Sequence, residues 1–393
     1  MPTIKLTVGA GYNDDDSITV FPPQRYDDDP EADIFVRSVG VDERLVIRDS
    51  DGDGTTLFYF SEDRLSHHAT AFSGGYDFNF SDRLGKTTLE GGNFADVLTG
   101  GSGSDSLLGG LGGDTLNGRR GNDVLEGGAG ADILNGSLGT DTASYQNSSA
   151  GVTVNLNTGV NRGGDAEGDV LISISRINGS THGDDLTGSA AANTLIGNGG
   201  SDSLYGLGGN DRLVVANSPV IVDGGTGKDA LIVTGAIELT DSNFRNIEKT
   251  YVRNGGDVSF ELVTHGQTIV SQTTSEIGTL INGSQGNDRI SSGDGSDIII
   301  GGTGNNKLFS GLGENIFGYE NANFGRDNIY DFEVNTDRLL ITSIARSFSD
   351  VEIKAINDGQ DTQITFARIA EASQKIILHD VVASSLTEGS FII

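Results

Sequence analysis

The amino-acid sequence predicts an all-β protein built as a parallel β-roll, a solenoid of short stacked strands. Three observations lead to this prediction: a nine-residue repeat, glycines at recurring positions of that repeat, and one apolar residue near its end. The stretch GGSGSDSLLGGLGGDTLNG, at 100–118, contains all three. Because supersecondary units repeated at a fixed period stack on one another, the period itself indicates a solenoid.

The composition limits the functions that this chain can have. It has 56 acidic against 25 basic residues, a formal net charge of -31, and 59 glycines. Both the self-repulsion and the backbone entropy of glycine oppose folding, so we expect multivalent cations to stabilise the fold. The acidity argues against nucleic acid and anionic membranes as partners, and no apolar run of about 18 residues could span a bilayer. The absence of cysteine excludes thiolate metal sites and disulfides.

Nine-residue repeats, here called nonads, run without a break from Gly91 and return in blocks at Gly179, Gly224 and Gly283. Position six of a nonad is nearly always aspartate. These aspartates are Asp96, Asp105, Asp114, Asp123, Asp132, Asp141, Asp184, Asp202, Asp211, Asp229, Asp288 and Asp297. Asn193, Asn306 and Asn315 replace aspartate at this position, and Arg119 replaces a second glycine, so we expect weaker or absent metal sites there.

Each nonad is predicted to form a turn followed by a short strand. Glycines allow positive φ and close backbone approach over the first six positions, and the last three positions form the strand. Because side chains alternate along a strand, only position eight, such as Leu98 or Leu107, points inward. One such strand cannot bury its apolar residue alone, so stability requires several stacked repeats.

The same stacking places the position-six carboxylates above one another at the strand spacing of about 4.8 Å. Without neutralisation, this column of like charges would repel itself. Carboxylates together with nearby turn carbonyls are hard oxygen ligands, which suit Ca²⁺ better than Mg²⁺ or a metal that prefers nitrogen or sulfur. The sequence therefore predicts a calcium-dependent fold.

The nonads resemble GGxGxDxUx, the repeat of the RTX (hemolysin-type calcium-binding) family. The resemblance covers about 89–393 and implies a β-roll with two nonads per coil and Ca²⁺ bound between neighbouring GGxGxD turns. It also implies secretion from a Gram-negative bacterium by a type I secretion apparatus that reads an uncleaved C-terminal signal. The start of the chain, MPTIKLTVGAGYNDDD, lacks the pattern of a cleaved secretory signal. Besides the position-six aspartates, the predicted metal-site residues are the turn glycines Gly100, Gly101, Gly103, Gly109, Gly110, Gly112, Gly118, Gly121, Gly127, Gly128, Gly130, Gly139, Gly197, Gly224, Gly225 and Gly227.

The blocks and the segments between them define the predicted domain organisation. The segment that follows the first block resembles an RTX spacer, and the C-terminal segment resembles the closing domain of the family. The predicted parts are an N-terminal β module at 1–88, roll blocks at 89–145, 179–233 and 283–318, β spacers at 146–178 and 234–282, and a C-terminal cap with the secretion signal at 319–393.

Acidic residues outside the nonads allow two interpretations. DSDGDG begins like an EF-hand loop, but Phe60 stands where the loop needs glutamate, so it is either a calcium-binding hairpin loop with Asp49, Asp51 and Asp53 as ligands or a solvated acidic turn. The loop with Asp165, Glu167 and Asp169 is likewise a metal site or a simple turn. The acidic runs at 14–16 and 27–29 are expected to be solvated. Asp327, Asp331 and Asp337 are expected to stabilise the cap through calcium or hydrogen bonds.

No catalytic motif was found. The chain lacks the H-E-x-x-H of zinc proteases and the G-x-S-x-G of lipases. The leading hypothesis is therefore a non-enzymatic, calcium-binding scaffold of the cell surface, S-layer or biofilm matrix that self-associates or binds surface polysaccharide. The alternative is a glycan-binding or glycan-modifying protein whose site lies in 1–88 or 234–282, where Tyr251, Phe260 and His265 either line a groove or pack in the core.

Overall fold

The computed structural model describes residues 86–393 except 94, 274–277 and 370–372, and, ahead of residue 86, the backbone of a set of strands. These strands are Ile4–Val8, Asp33–Val36, Arg44–Arg48, Thr55–Phe60, Leu65–His68 and Tyr76–Asn79. The candidate ligands Asp49, Asp51 and Asp53 lie outside the described residues, as do the acidic runs at 14–16 and 27–29.

Short strands make up almost all of the regular structure, which confirms the all-β prediction. Within the described part of the chain, helix is confined to single 3₁₀ turns. These turns are Gly164–Ala166, Phe348–Asp350, Asn357–Gly359, Ala383–Ser385 and Glu388–Ser390. No helix found there is long and apolar enough to cross a membrane.

The chain forms two compact units, residues 1–200 and 201–393. In the first unit, one parallel sheet has the strand order Val170–Ile172, Ile133–Asn135, Thr115–Asn117, Val97–Thr99, Tyr76–Asn79, Ile4–Val8 and Asp33–Val36. A second parallel sheet has the order Thr194–Ile196, Arg176–Asn178, Thr142–Ser144, Val124–Ala129, Ser106–Leu111, Thr87–Glu90 and Leu65–His68. Thr55–Phe60 and Arg44–Arg48 extend this second sheet in antiparallel pairing.

A smaller group in the first unit pairs Asp185–Thr187 with Thr153–Asn155, which in turn pairs antiparallel with Asn161–Arg162. The strands of the predicted 146–178 spacer thus continue the coils of the nonads: Leu171 pairs with Leu134, and Ile177 pairs with Ala143.

The second unit repeats this arrangement. One sheet runs through Arg212–Val215, Ala230–Val233, Lys249–Val252, Thr268–Ser271, Arg289–Ser291, Lys307–Phe309, Arg326–Ile329 and Lys375–Leu378, followed by the antiparallel strands Asp361–Phe366 and Val351–Ile356. The other sheet runs through Ile237–Thr240, Val258–Leu262, Leu280–Asn282, Ile298–Ile300, Ile316–Gly318, Arg338–Leu340 and Phe391–Ile392. A smaller group comprises Ser203–Tyr205, Ile221–Asp223 and Phe244–Arg245.

The strands coincide with positions seven to nine of the nonads, and position eight points inward as predicted. In Val97–Thr99, only Leu98 is buried. Leu98 pairs with Leu116, and Leu116 pairs with Leu134, so partners are 18 residues apart and each coil contains two nonads. The buried position-eight residues are Leu98, Leu107, Leu116, Leu125, Leu134, Ala143, Leu186, Leu195, Leu204, Leu213, Leu231, Ile290, Ile299, Leu308 and Phe317.

We predict that truncation of one inward leucine destabilises the roll far more than truncation of its isomeric neighbour. Leu134 is 0% exposed, whereas Ile133 on the same strand is 41% exposed. Leu134→Ala should lower the free energy of unfolding in calcium by about 2–5 kcal/mol, because it leaves a cavity in a close-packed row. Ile133→Ala removes the same number of carbon atoms from the solvent face. Denaturant titration of both variants provides the measurement, and equal losses would contradict the assignment of the core.

Candidate metal centre

The position-six aspartates are buried and stacked in columns along the coils. At five of these aspartates, Oδ1 accepts a hydrogen bond from the backbone N–H of the position-six aspartate one coil earlier: Asp114, Asp123, Asp132, Asp141 and Asp229. Oδ1 of Asp184, Asp288 and Asp297 accepts instead from the N–H groups of Val152, Gln267 and Thr279. Asp114 accepts from Asp96 at 2.7 Å, and Asp132 accepts from Asp114 at 2.7 Å. The next column has the same pattern, with Asp123 accepting from Asp105 at 2.8 Å. The stacking of the coils thus determines the position of one oxygen of each of these carboxylates.

The second carboxylate oxygen is different, because in many repeats it is buried without a hydrogen-bond partner. This holds for Oδ2 of Asp114, Asp123, Asp132, Asp141, Asp229 and Asp297. A buried carboxylate oxygen without a partner is energetically costly, so the fold leaves a strong requirement for a positively charged ligand at these points. In some other repeats a backbone N–H meets this oxygen, as Gly101 N–H does at Asp105 Oδ2, 2.6 Å away.

Glycine is required where the turn passes these oxygens. A Cβ on the position-one glycine Gly109 would overlap Asp114 Oδ2. Position-four Gly130 has φ of +159°, and a Cβ there would overlap the carbonyl oxygen of Gly112, one coil earlier. The close approach of turn carbonyls and carboxylates therefore depends on residues without side chains.

Burial is the main cause of raised pKa values along the columns. It raises the pKa of Asp114 and of Asp123 to about 7; backbone hydrogen bonds oppose the shift, and the neighbouring carboxylates of each column increase it. Burial also raises the pKa of Asp288 to about 6. The remaining column residues with raised pKa values are Asp132, Asp141, Asp184, Asp229 and Asp297. The ionised columns are thus unfavourable without a counter-ion.

This donor set fits Ca²⁺. The free carboxylate oxygens and turn carbonyls are hard ligands, and Ca²⁺ accepts six to eight of them in irregular geometry. Within the described residues, no group of three or more acidic or histidine side chains converges as a metal site. A cation held between turns would therefore bind one or two carboxylates and take its other ligands from the backbone.

Residues that depart from the repeat consensus keep the turn conformation but change the hydrogen bonds or the charge at the turn. Asn306 Oδ1 accepts from Asp288 N–H at 2.8 Å, as an aspartate would, while its amide donates to Asp327 Oδ1 at 2.8 Å. Asn315 makes the same pair of contacts with Asp297 and Asp337. Arg119, with φ of 71°, retains the left-handed turn of the glycine that it replaces. An amide therefore replaces the repulsion between carboxylates with a hydrogen bond.

The structure adds column residues that the repeat frame does not contain. Asp169 Oδ1 accepts from Asp132 N–H at 2.9 Å, and its other oxygen accepts from the Tyr145 hydroxyl at 2.9 Å. Glu248 similarly accepts from Asp229 N–H at 2.6 Å. Inserted residues shift the spacing to 37 and 19 residues, so a search at a fixed period misses both.

The other acidic candidates are placed mainly by hydrogen bonds. Glu167 accepts from Gly163 N–H at 2.9 Å and closes its own loop, while Asp169 faces the column, so this loop does not bring three carboxylates together. Asp331 accepts from Ser310 and Gly311 N–H groups through both of its oxygens.

The aromatic candidates do not line a common groove. Phe260 is fully buried and packs edge-on against Phe244, with ring centroids 5.3 Å apart. Tyr251 carries the Lys249 ammonium over its ring at 4.6 Å, and His265 is exposed beside Asp241. Packing is therefore the role of Phe260.

Four stretches of the chain match the RTX calcium-binding nonapeptide repeat: residues 84–116, 108–143, 178–213 and 281–317. No curated protein sequence matches the chain. Among solved structures, the extracellular lipase LipA from Serratia marcescens is similar with 14% identity and a TM-score of 0.21, over 80% of this chain and 40% of the lipase. The AlgE6R3 subunit of the Azotobacter vinelandii mannuronan C5-epimerase is similar with 19% identity and a TM-score of 0.15, over 54% of this chain and 79% of the subunit. This chain therefore spans less than half the length of the lipase.

We predict that the calcium-free chain gains structure as the pH falls. The folded-state pKa of Asp114 and of Asp123 is about 7, above the ordinary value of 3.8, so the folded state binds more protons between these values. Stability is then greatest below the ordinary value and is lost as the pH rises toward 7. In chelator, circular dichroism should show more β-structure at about pH 5 than at about pH 8. In saturating calcium the difference in β-structure between the two pH values should shrink. More β-structure at pH 8 than at pH 5 in chelator would contradict the raised pKa values.

We also predict that a single methyl group in a turn impairs calcium-dependent folding. Gly130→Ala would place its Cβ against the Gly112 carbonyl, whereas Gly159, with φ of +70°, has open space around it. Gly159→Ala should cost only the positive-φ strain of about 1–2 kcal/mol. Gly130→Ala must also displace backbone, so we expect its calcium midpoint to rise about tenfold above that of the control, a difference of roughly 1.4 kcal/mol. Matching midpoints would contradict the close approach of the coils.

Proposed function

We propose, from the RTX calcium-binding nonapeptide repeats that this chain carries, that it is a secreted protein that folds on binding extracellular Ca²⁺ and then acts as a non-enzymatic scaffold. The observation that carries the proposal is the row of buried carboxylate oxygens without protein partners, such as Oδ2 of Asp114 and Asp132. Folding without a cation would leave these charges uncompensated in the coils that contain them.

The affinities expected for such sites make calcium decisive outside the cell and ineffective inside it. Extracellular calcium modules bind with dissociation constants of about 10⁻⁴–10⁻³ M. A tenfold excess of calcium over that constant contributes about 1.4 kcal/mol for each site, and sub-micromolar cytosolic calcium contributes almost nothing. About ten sites together approach the whole stability of a domain. The chain would therefore stay extended in the producing cell and fold after passage through a type I secretion apparatus.

The solvent face of the first unit supports a scaffold of the cell surface, S-layer or biofilm matrix. Val97, Ile133 and Val170 are exposed and lie in one row across four parallel strands, with the half-buried Thr115 between Val97 and Ile133. A flat row of β-branched side chains on a regular sheet offers a repeating surface for a second copy of the chain. The chain has a formal net charge of -31, so calcium could bridge copies that otherwise repel one another.

The test is sedimentation velocity of the full chain, titrated from chelator to about 10 mM calcium, a range that brackets the expected affinities. We expect compaction followed by reversible assembly. Asp123→Asn should shift the compaction midpoint to severalfold higher calcium, since Asp123 is 0% exposed in a column. The chain itself accommodates asparagine at position six, as at Asn306, so the variant should fold. Asp185→Asn removes an exposed charge beside the buried Asp184 and provides the matched control.

Each part of the proposal has its own contrary result. A size and circular dichroism spectrum unchanged between chelator and millimolar calcium would reject calcium-driven folding. Compaction to a lasting monomer would reject the scaffold while keeping calcium-driven folding. Calcium-dependent depolymerisation of a polysaccharide would instead support the glycan-modifying alternative.

A further inference from the structure

One sheet of the second unit has a basic solvent face, although the chain as a whole has a formal net charge of -31. The face belongs to the parallel strands that run from Arg212–Val215 to Lys375–Leu378. Each basic side chain lies at an outward position beside a buried residue. These residues, here called the basic face, are Arg212, Lys249, Arg289, Lys307, Arg326 and Lys375.

The strands of the basic face carry no outward carboxylate. Asp327 is the only acidic residue in them, and it is buried on the inner side. The other sheet of this unit differs, because Glu238 and Glu261 occupy exposed positions of its strands. Positive charge on the basic face is therefore not balanced by acidic residues of the same strands.

The cations of the basic face are also without ion-pair partners. The ion pairs found among the described residues involve none of the six. Two of these side chains lie over aromatic rings instead: the Lys249 ammonium is 4.6 Å from the centroid of Tyr251, and the Arg289 guanidinium is 4.2 Å from the centroid of Phe309. Such contacts hold a long side chain against the sheet but do not neutralise its charge. The face therefore favours an anionic partner.

The basic face is long and narrow. Arg289 pairs with Lys307 on the next strand, and Arg326 pairs with Lys375. Because the strands are about 4.8 Å apart, the eight strands give a stripe roughly 34 Å long that runs along the stacking direction. Across the stripe, each strand contributes only one or two outward side chains. This shape fits an extended single-chain polyanion better than a small anion.

The aromatic rings of the face argue against single-stranded nucleic acid as that polyanion. Phe309 and Tyr330 stack with centroids 4.8 Å apart, and Tyr330 and His379 stack at 4.4 Å, with interplanar angles of 8° and 9°. Proteins that bind single strands stack the bases on free aromatic faces. Here the rings cover one another, and Arg289 covers the outer side of Phe309.

A second copy of the chain is also a poor match, because its described sheets present no acidic stripe of this length. In the first unit, Glu90 and Glu126 lie in one row but are separated by Leu108. In the second unit, Glu238 pairs with Ser259 rather than with another acidic residue. Acidic side chains on the sheets are thus too sparse to pair with successive cations of the basic face.

We propose that the basic face binds an acidic polysaccharide, a linear polymer of sugars that carry carboxylates. Arginine and lysine donate charge-assisted hydrogen bonds to carboxylates. Between the cations, the outward hydroxyls of Thr268 and Ser291 can bond sugar hydroxyls, which both donate and accept. The assignment rests on the proposed function only in that it names the polymer that the scaffold would hold.

The test measures binding of short oligogalacturonates, which stay soluble in calcium, to the full chain by isothermal titration calorimetry. We expect the dissociation constant to rise about tenfold in Arg289→Gln/Lys307→Gln, because two charge contacts on the surface are lost. Binding should also weaken as salt is added, since salt screens exposed charges. Neutral dextran oligosaccharides should not bind.

Matched variants separate the basic face from the net charge of the chain. Arg338→Gln/Arg346→Gln removes two exposed arginines that lie outside the basic face, so it changes the net charge equally and should keep the affinity within about twofold. Arg289→Lys/Lys307→Arg retains both charges and should retain most of the binding. Circular dichroism in calcium should be the same for all of these variants, because the substituted side chains lie on solvent-exposed positions.

Unchanged affinity in Arg289→Gln/Lys307→Gln would overturn the proposal, because calcium bridges to carboxylates of the chain would then account for the binding. Tighter binding of a single-stranded DNA of equal charge would overturn it in favour of nucleic acid. Loss of calcium-dependent assembly of the variant in the absence of sugar would overturn it in favour of a second copy.

These results are distinguishable from the fate of the proposed function, which sedimentation and circular dichroism report without any sugar. A chain that compacts in calcium but does not bind oligogalacturonate rejects the basic face alone. A chain that folds without calcium, or stays monomeric, and still loses oligogalacturonate binding in Arg289→Gln/Lys307→Gln keeps the basic face and rejects that part of the proposed function.

Discussion

The structure depends on stacked carboxylates, many of which are satisfied on one side only. Asp114 illustrates the constraint: Oδ1 accepts the N–H of Asp96, and Oδ2 is buried without a partner. The first contact ties the carboxylate to the strand stacking, so the side chain cannot turn toward water without breaking a coil-to-coil hydrogen bond. The second oxygen makes the same stacking unfavourable unless a cation neutralises it. We therefore expect folding and cation binding to be one process in these coils.

The glycines and the apolar rows follow from this constraint. Carbonyl oxygens must approach the turns of the next coil closely, which is why a side chain at Gly130 would overlap Gly112. A turn of that kind has little apolar surface, so each nonad buries essentially one apolar side chain, such as Leu116. The core is consequently thin, and its contribution per coil is small against the backbone entropy that glycine loses. We therefore expect cation binding to supply the part of the stability that burial cannot.

Much of this could be predicted from the sequence because the repeat has a fixed period. Side chains alternate along a three-residue strand, and this alternation predicted the inward position of Leu98. The nine-residue period predicted the column of aspartates. Prediction from the nine-residue period fails where residues are inserted between repeats. Asp169 stacks on Asp132 after a long excursion, and no spacing in the sequence distinguishes it from its neighbour Asp165.

The ends of the columns show how the same constraint is met without a cation. Asp169 terminates its column with one oxygen on Asp132 N–H and the other on the Tyr145 hydroxyl, so neither oxygen is left free. In the third block, Asn306 and Asn315 donate amide hydrogens to the carboxylates of Asp327 and Asp337. Successive carboxylates repel each other, whereas an amide above a carboxylate attracts it. We therefore expect the coils at these positions to hold together before calcium arrives, and the order of the aspartate-only coils to depend on calcium.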